Sequence, residues 1–201
     1  SIQRVNYIYL LLAAIFLWVS IWFRALRWRW LFKTDAMPST ASLYRVQLIG
    51  YFGNNVLPLR LGELLRAYLI GREYNLSKKY VFGTIILERI LDTLSLLFFF
   101  FLLILFYPLD ESLREYFIWG GGITLFVIMI FIIILYHIKS IRINHKIFNS
   151  LKEIIEGLLS INKSALLPVI ASSLVIWGIY YLDVYLLQYA FGFNLSFSQV
   201  L

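Results

Sequence analysis

Cysteine is absent from the 201 residues, so they can form neither a disulfide framework nor a thiolate-ligated metal site. Histidine occurs only at His137 and His145, too sparsely for a metal centre, and neither a metal nor a cofactor is expected. Charge is scarce as well. Only 14% of the residues are Asp, Glu, Lys or Arg, against about 25% in an ordinary soluble domain, which excludes that class. No internal repeat, low-complexity tract or linker divides the chain, and no small-residue cleavage site marks a signal peptide. The residues run from Ser1 into one apolar stretch and stop at Leu201 in another. The expectation is therefore a single membrane domain belonging to a longer chain.

What is abundant is hydrocarbon: 61% of residues are apolar, 18% are aromatic and the mean hydropathy is +0.81. Crossing about 30 Å of bilayer takes roughly 20 helical residues. Segments at about 5–23, 80–107, 117–137 and 165–191 meet that length, which predicts an all-α polytopic membrane protein, a transmembrane helix bundle. The net charge of +7 falls between the apolar runs rather than in one basic face, which argues for anionic headgroups and against nucleic acid as the partner. Arg24, Arg27, Arg29 and Lys33 follow the first span. Arg60 to Lys79 adds further cations, and Lys139, Arg142, Lys146, Lys152 and Lys163 lie between the last two spans, whereas Asp110, Glu111 and Glu115 dominate the link near 108–116. The positive-inside rule puts the basic stretches in the cytoplasm and the acidic link outside.

That orientation leaves the shorter apolar run near 43–57 unable to cross, because the chain must be cytoplasmic on both sides of it. The expectation is a re-entrant hairpin over about 43–74: a first arm of about ten residues reaching roughly 15 Å, a turn at Gly53-Asn54-Asn55, and a second helix begun by Pro58. Arg60, Glu63 and Arg66 recur every third residue as a polar stripe, with Gly62 beside it. Free amides at the second helix start, its positive dipole end and Arg60 together suit an anion such as phosphate. The plainer alternative is that Arg60 and Glu63 neutralise each other while Arg66 reaches water. In the next span, Glu88, Arg89 and Asp92 lie two to three turns deep, where each ionised group costs about 2.5–3.5 kcal/mol on insertion scales. Either Glu88 or Asp92 pairs with Arg60 or Arg66 across helices, or Arg89 and Asp92 pair locally. Over about 145–160, Ile147, Leu151, Ile154, Ile155, Leu158 and Leu159 fall at helical spacing, a cytoplasmic amphipathic helix lying on the membrane or packed under the bundle. Asp183, among Tyr180, Tyr181 and Tyr185, reads as a buried carboxylate bonded to a tyrosine. Trp18, Trp22, Trp28, Trp30 and Trp119 read as interfacial anchors.

The run Asn54-Asn55-x-x-Pro58-x-Arg60-x-Gly62-Glu63-x-x-Arg66, followed by Glu88-Arg89-x-x-Asp92, resembles the transmembrane region of lysylphosphatidylglycerol synthases and their flippase-like relatives. With the hydrophobic layout, the likeness covers most of the chain from about Arg24 onward. It implies a multi-pass protein of the plasma (inner) membrane that binds or moves an anionic, in the synthases aminoacylated, phospholipid or lipid-linked molecule between leaflets. It further implies that the hairpin and next-span positions touch the headgroup, and that no residue is catalytic. The synthases' soluble aminoacyl-transferase domain and a later Pro- and Gly-rich segment have no counterpart in these residues. Two alternatives remain. One is an intramembrane enzyme using Glu88 and Asp92 as an acid–base pair. The other is a non-transporting partner of a membrane enzyme, or of a second copy of this chain.

Overall fold

The computed structural model of the protein describes residues 6–33, 37–106, 110–140, 146–161 and 163–193, and all regular structure among them is helical. Helix α1 (Tyr7–Trp30) starts beneath Asn6, whose side chain accepts from the Ile8 N–H at 3.1 Å. A helical hairpin follows, made of α2 (Thr40–Val56), a 3-10 turn (Pro58–Arg60) and α3 (Gly62–Glu73). Then come α4 (Lys78–Phe106), α5 (Glu111–Ser140), α6 (Lys146–Leu158), a second 3-10 turn (Lys163–Ala165) and α7 (Leu166–Ala190). Among the described residues, Tyr7–Trp30, Glu111–His137 and Lys163–Ala190 are long and apolar enough to cross a bilayer. Helix α4 has 29 residues, roughly 43 Å of helix, but is interrupted by Glu88, Arg89 and Asp92. The all-α polytopic membrane architecture expected from composition is the one observed.

Helices α1 and α7 run antiparallel along each other. The Asn6 N–H donates to the Ala190 carbonyl at 3.0 Å at one end, and Arg27 donates to the Ser173 hydroxyl at 3.0 Å toward the other. Trp28, Leu31, Leu43, Ile70, Val81 and Ile85 bring α1, α2, α3 and α4 together in one core. Trp28 is therefore no interfacial anchor. It is fully buried, and its indole N–H donates to the Thr84 hydroxyl at 2.9 Å, whereas Trp18, Trp22 and Trp119 are exposed as anchors would be. Helix α1 also continues past residue 23, because Arg24 and Arg27 turn inward rather than into a loop.

The hairpin turns later than the residue types suggested. Gly53, Asn54 and Asn55 stay inside α2, where Asn55 donates to the Tyr51 carbonyl at 2.9 Å, and the Leu57 N–H closes the helix on Gly53 at 2.7 Å. The bend falls at 57–61. Leu57 is extended, as a residue before proline must be, and Leu59 takes a left-handed φ of 56°. Such backbone in a non-glycine residue costs of order 1–3 kcal/mol and persists only where surrounding packing imposes it. Here the imposing contact is glycine on glycine. A Cβ on Gly62 would lie 2.0 Å from the Gly50 carbonyl and 2.6 Å from Asn54 Oδ1, and one on Gly53 would lie 3.1 Å from Gly62 Cα. Arg60 falls in the 3-10 turn whereas Glu63 and Arg66 stand on α3, so the three do not run along one α-helix; the side chain of Arg60 lies outside the described residues.

Between the two placements open for the amphipathic segment, α6 takes the packed one. It lies against the start of α4, where a Cβ on Gly157 would sit 1.9 Å from the Tyr80 carbonyl and one on Gly83 would sit 2.0 Å from the Ile154 carbonyl. Ser77 bonds Glu153, and Lys79 bonds the Ser150 hydroxyl at 2.7 Å along the same seam. Two close crossings with no room for a methyl group predict that Gly62→Ala and Gly157→Ala each lower stability by about 1–3 kcal/mol. Gly120→Ala, with nothing within 4 Å, should leave it unchanged; thermal unfolding in detergent reads all three.

Candidate functional site

Four arginines and three carboxylates meet where α1, α3 and α4 converge. Helix α4 supplies the acids: Glu88 and Asp92, one turn apart, face inward together. Asp92 takes two guanidinium groups from α1, Arg27 at 2.7 Å on Oδ1 and Arg24 at 3.0 Å on Oδ2. Glu88 takes Arg66 of α3 at 2.7 Å on Oε2 and its neighbour Arg89 at 2.7 Å on Oε1, with Arg24 at 3.5 Å behind. Arg89 reaches on to Asp92 at 3.4 Å and to Glu63 of α3 at 3.5 Å. Both sequence alternatives for α4 are thus realised at once: Arg66 pairs with Glu88 across helices, and Arg89 pairs with Asp92 locally.

Neutral groups hold the arginines in place. Arg24 Nε donates to the Tyr180 hydroxyl at 2.8 Å, and Arg66 lies 4.2 Å over the Trp28 ring, a contact worth about 2 kcal/mol when desolvated. Gln47 of α2 donates to Glu88 at 3.4 Å, tying the hairpin's first arm to the cluster. The space over Gly62 at the start of α3 is taken by the Gly50 carbonyl and Asn54. Asn54, Asn55, Pro58 and Gly62 therefore shape the hairpin, whereas Glu63, Arg66, Glu88, Arg89 and Asp92 make the polar centre. Asp183 is not among them. It is buried on α7 with Oδ1 lacking a hydrogen-bond partner, while Tyr185 and Tyr189 share a 2.8 Å hydrogen bond.

Arg24 and Arg27 are the residues that sequence reasoning missed, because two cations after an apolar run resemble cytoplasmic loop charges. Their signal was periodic. Arg24 stands three residues before Arg27 and four before Trp28, so all three share the helix face that carries α1 into the core. Arg66 is buried as well, so of the two expectations for it the pairing with Glu88 is the one realised and the reach to water is not.

The cluster holds one more positive than negative charge, and its members differ sharply in exposure. The Arg24, Arg27 and Arg66 side chains are at most 7% accessible, whereas Arg89 is 41% accessible. Removing one partner of a buried ion pair strands the other, at about 3–5 kcal/mol. Glu88→Gln and Asp92→Asn are each expected to lower stability by that amount. Glu63→Gln, which loosens only the partly exposed Arg89 contact, should cost under about 1 kcal/mol. Unfolding midpoints of the purified variants distinguish these outcomes.

Comparison with known proteins gives a membrane family. The chain is 30% identical over 149 residues to the UPF0104 membrane protein MJ1078 of Methanocaldococcus jannaschii, a match covering 72% of this chain and 64% of that relative. It is 33% identical over 76 residues to the UPF0104 membrane protein MJ1595 of the same organism, covering 36% of this chain and 23% of the relative. No solved structure matches it. The sequence profile described as "Lysylphosphatidylglycerol synthase TM region" matches residues 1–201, and the chain belongs to that family.

Proposed function

We propose that this protein binds an anionic phospholipid or lipid-linked anion by its headgroup at the Arg89 edge of the charge cluster and carries it between leaflets of the plasma membrane. One observation supports this reading above others: four guanidinium groups are gathered against three carboxylates inside a membrane protein, so the set carries one excess positive charge, and Arg89 is the most accessible of the four. An excess charge inside a membrane protein is costly, and ionisable groups within membrane segments mark ion and substrate paths. A phosphate arriving there completes the pairing, through charge-assisted hydrogen bonds roughly twice as strong as neutral ones.

The hairpin's polarity supports a re-entrant placement. Its open end is polar, with Ser42 and Arg45 bonding Glu73 at 2.7 and 2.8 Å and the Ser39 N–H donating to the Tyr74 hydroxyl at 3.0 Å. Its tip exposes Phe52, Val56 and Leu57, with Leu59 at 93%, alongside Asn55. A tip of that kind suits hydrocarbon, and the irregular backbone at 57–61 would need cover from neighbouring protein. An acid–base role for Glu88 and Asp92 is less well supported. All four of their carboxylate oxygens already accept from guanidinium groups, leaving none free to take a substrate proton.

In vesicles reconstituted with the full-length protein, labelled anionic lipid should exchange leaflets faster than in empty vesicles, and Arg89→Ala should slow the exchange about tenfold, the loss of one charge-assisted hydrogen bond. Anionic lipid moving no faster than in empty vesicles would refute the transport reading. For the hairpin, Leu59→Cys should resist a membrane-impermeant thiol reagent applied from either side, while Ser39→Cys and Glu73→Cys react from the same side. Labelling of the Leu59 position from the opposite side would mean that the hairpin crosses.

A further inference from the structure

Helices α4 and α5 part along one face and leave a cavity of about 340 Å³ between them. Its walls are Ile86 and Ile90 of α4 and Ile123, Val127 and Phe131 of α5, with Arg89 between the two isoleucines of α4. Thr93 and Thr124 also line it, but each hydroxyl is bonded to its own helix, Thr93 to the Arg89 carbonyl at 3.0 Å and Thr124 to the Gly120 carbonyl at 2.8 Å. Their methyl groups therefore complete an apolar wall. Helix periodicity separates the two sides of α4. Ile86, Arg89, Ile90 and Thr93 recur at the spacing of one face, while Glu88 and Asp92 look the other way, toward Arg24, Arg27 and Arg66. Arg89 alone among the cluster's arginines lines this cavity.

We propose that this groove holds an acyl chain of an anionic phospholipid, whose phosphate contacts Arg89 and replaces Glu63 there. The proposal rests on the headgroup reading given above and names the path that goes with it. Apart from Arg89 its lining is apolar, and walls with nothing packed against them forfeit dispersion contacts. In a membrane the available filler is hydrocarbon. Arg89 lies 11 residues beyond the start of α4, roughly 16 Å along the helix axis, and joins the groove to the buried charge cluster. A lipid seated here has its phosphate beside that cluster, the position a headgroup drawn into the protein would take. The contact it displaces is the long one: Arg89 to Glu63 is 3.5 Å, and both side chains are partly exposed, against 2.7 Å to the fully buried Glu88. Because Glu63 stands in the first turn of α3, its release uncouples the hairpin from α4 on that side.

The test uses full-length protein in vesicles containing phosphatidylglycerol or phosphatidylcholine that carries a photoreactive group in one acyl chain, with labelled peptides located by mass spectrometry. Labelling is expected within 123–131, about tenfold higher for phosphatidylglycerol, the discrimination one charge-assisted hydrogen bond supplies. Arg89→Gln should equalise the two lipids and Arg89→Lys should restore a preference. Val127→Trp, at an exposed position that fills the groove without disturbing the core, should abolish labelling at an unchanged unfolding midpoint. Equal labelling by both lipids in the unmodified protein, or labelling outside 123–131, overturns the groove. Lipid movement undiminished in Val127→Trp overturns the groove as the path and leaves transport standing. Selective labelling with no lipid movement overturns transport and leaves the groove.

Discussion

Two carboxylates one helical turn apart on α4 organise the interior of this protein. Asp92 fastens α1 through Arg24 and Arg27, and Glu88 fastens α3 through Arg66 and α2 through Gln47. Apolar surfaces cannot select these partners in a lipid environment, because hydrocarbon packs against leucine as well as another helix does; close packing and polar contacts must do it. Ion pairs buried at 2.7 to 3.0 Å are directional, and a wrong neighbour would leave a charge stranded. Specificity of helix arrangement is thus the service these groups render, whatever their net contribution to stability.

Around that centre, glycine sets the distances. Gly50, Gly53 and Gly62 let the hairpin arms touch backbone to backbone, which brings α3 near enough for Arg66 to reach Glu88. Gly83 and Gly157 do the same for α4 and α6. Helix α5 has no such crossing in its exposed stretch: Gly120 and Gly122 meet nothing, and α5 stands off α4 to leave the groove beside Arg89. The molecule is therefore tight around the buried ion pairs and open beside Arg89, the most accessible of the cluster's arginines. The proposed lipid site lies at that open edge.

Membership of the lysylphosphatidylglycerol synthase transmembrane-region family gives a membrane setting and names no ligand. The matched relatives extend beyond the aligned segments, which cover 64% of one and 23% of the other. On the proposal made above, Arg89 and the hydrocarbon-lined groove would recognise complementary halves of one amphiphile. The acyl chain would be held without sequence-like specificity, and discrimination would reside in the single contact to the phosphate.

Composition and periodicity alone determined the helical membrane class, the positions of the long apolar helices, and the presence of a polar hairpin followed by Glu88, Arg89 and Asp92. These follow from patterns within about 20 residues, the span over which lipid solvation and helix geometry act. Arg66 with Glu88 was foreseeable because both sit at similar depth on neighbouring elements, 22 residues apart. Arg24 and Arg27 were not, because they reach Asp92 across 68 and 65 residues and look locally like loop cations. The turn moved from Gly53-Asn54-Asn55 to 57–61 for the same reason: residue types permit a bend there, but the Gly62 contact with α2 chooses where it falls. Only the tertiary structure could decide which of the four cations stays accessible, since the excess charge belongs to the packed set of groups and to no single stretch of chain.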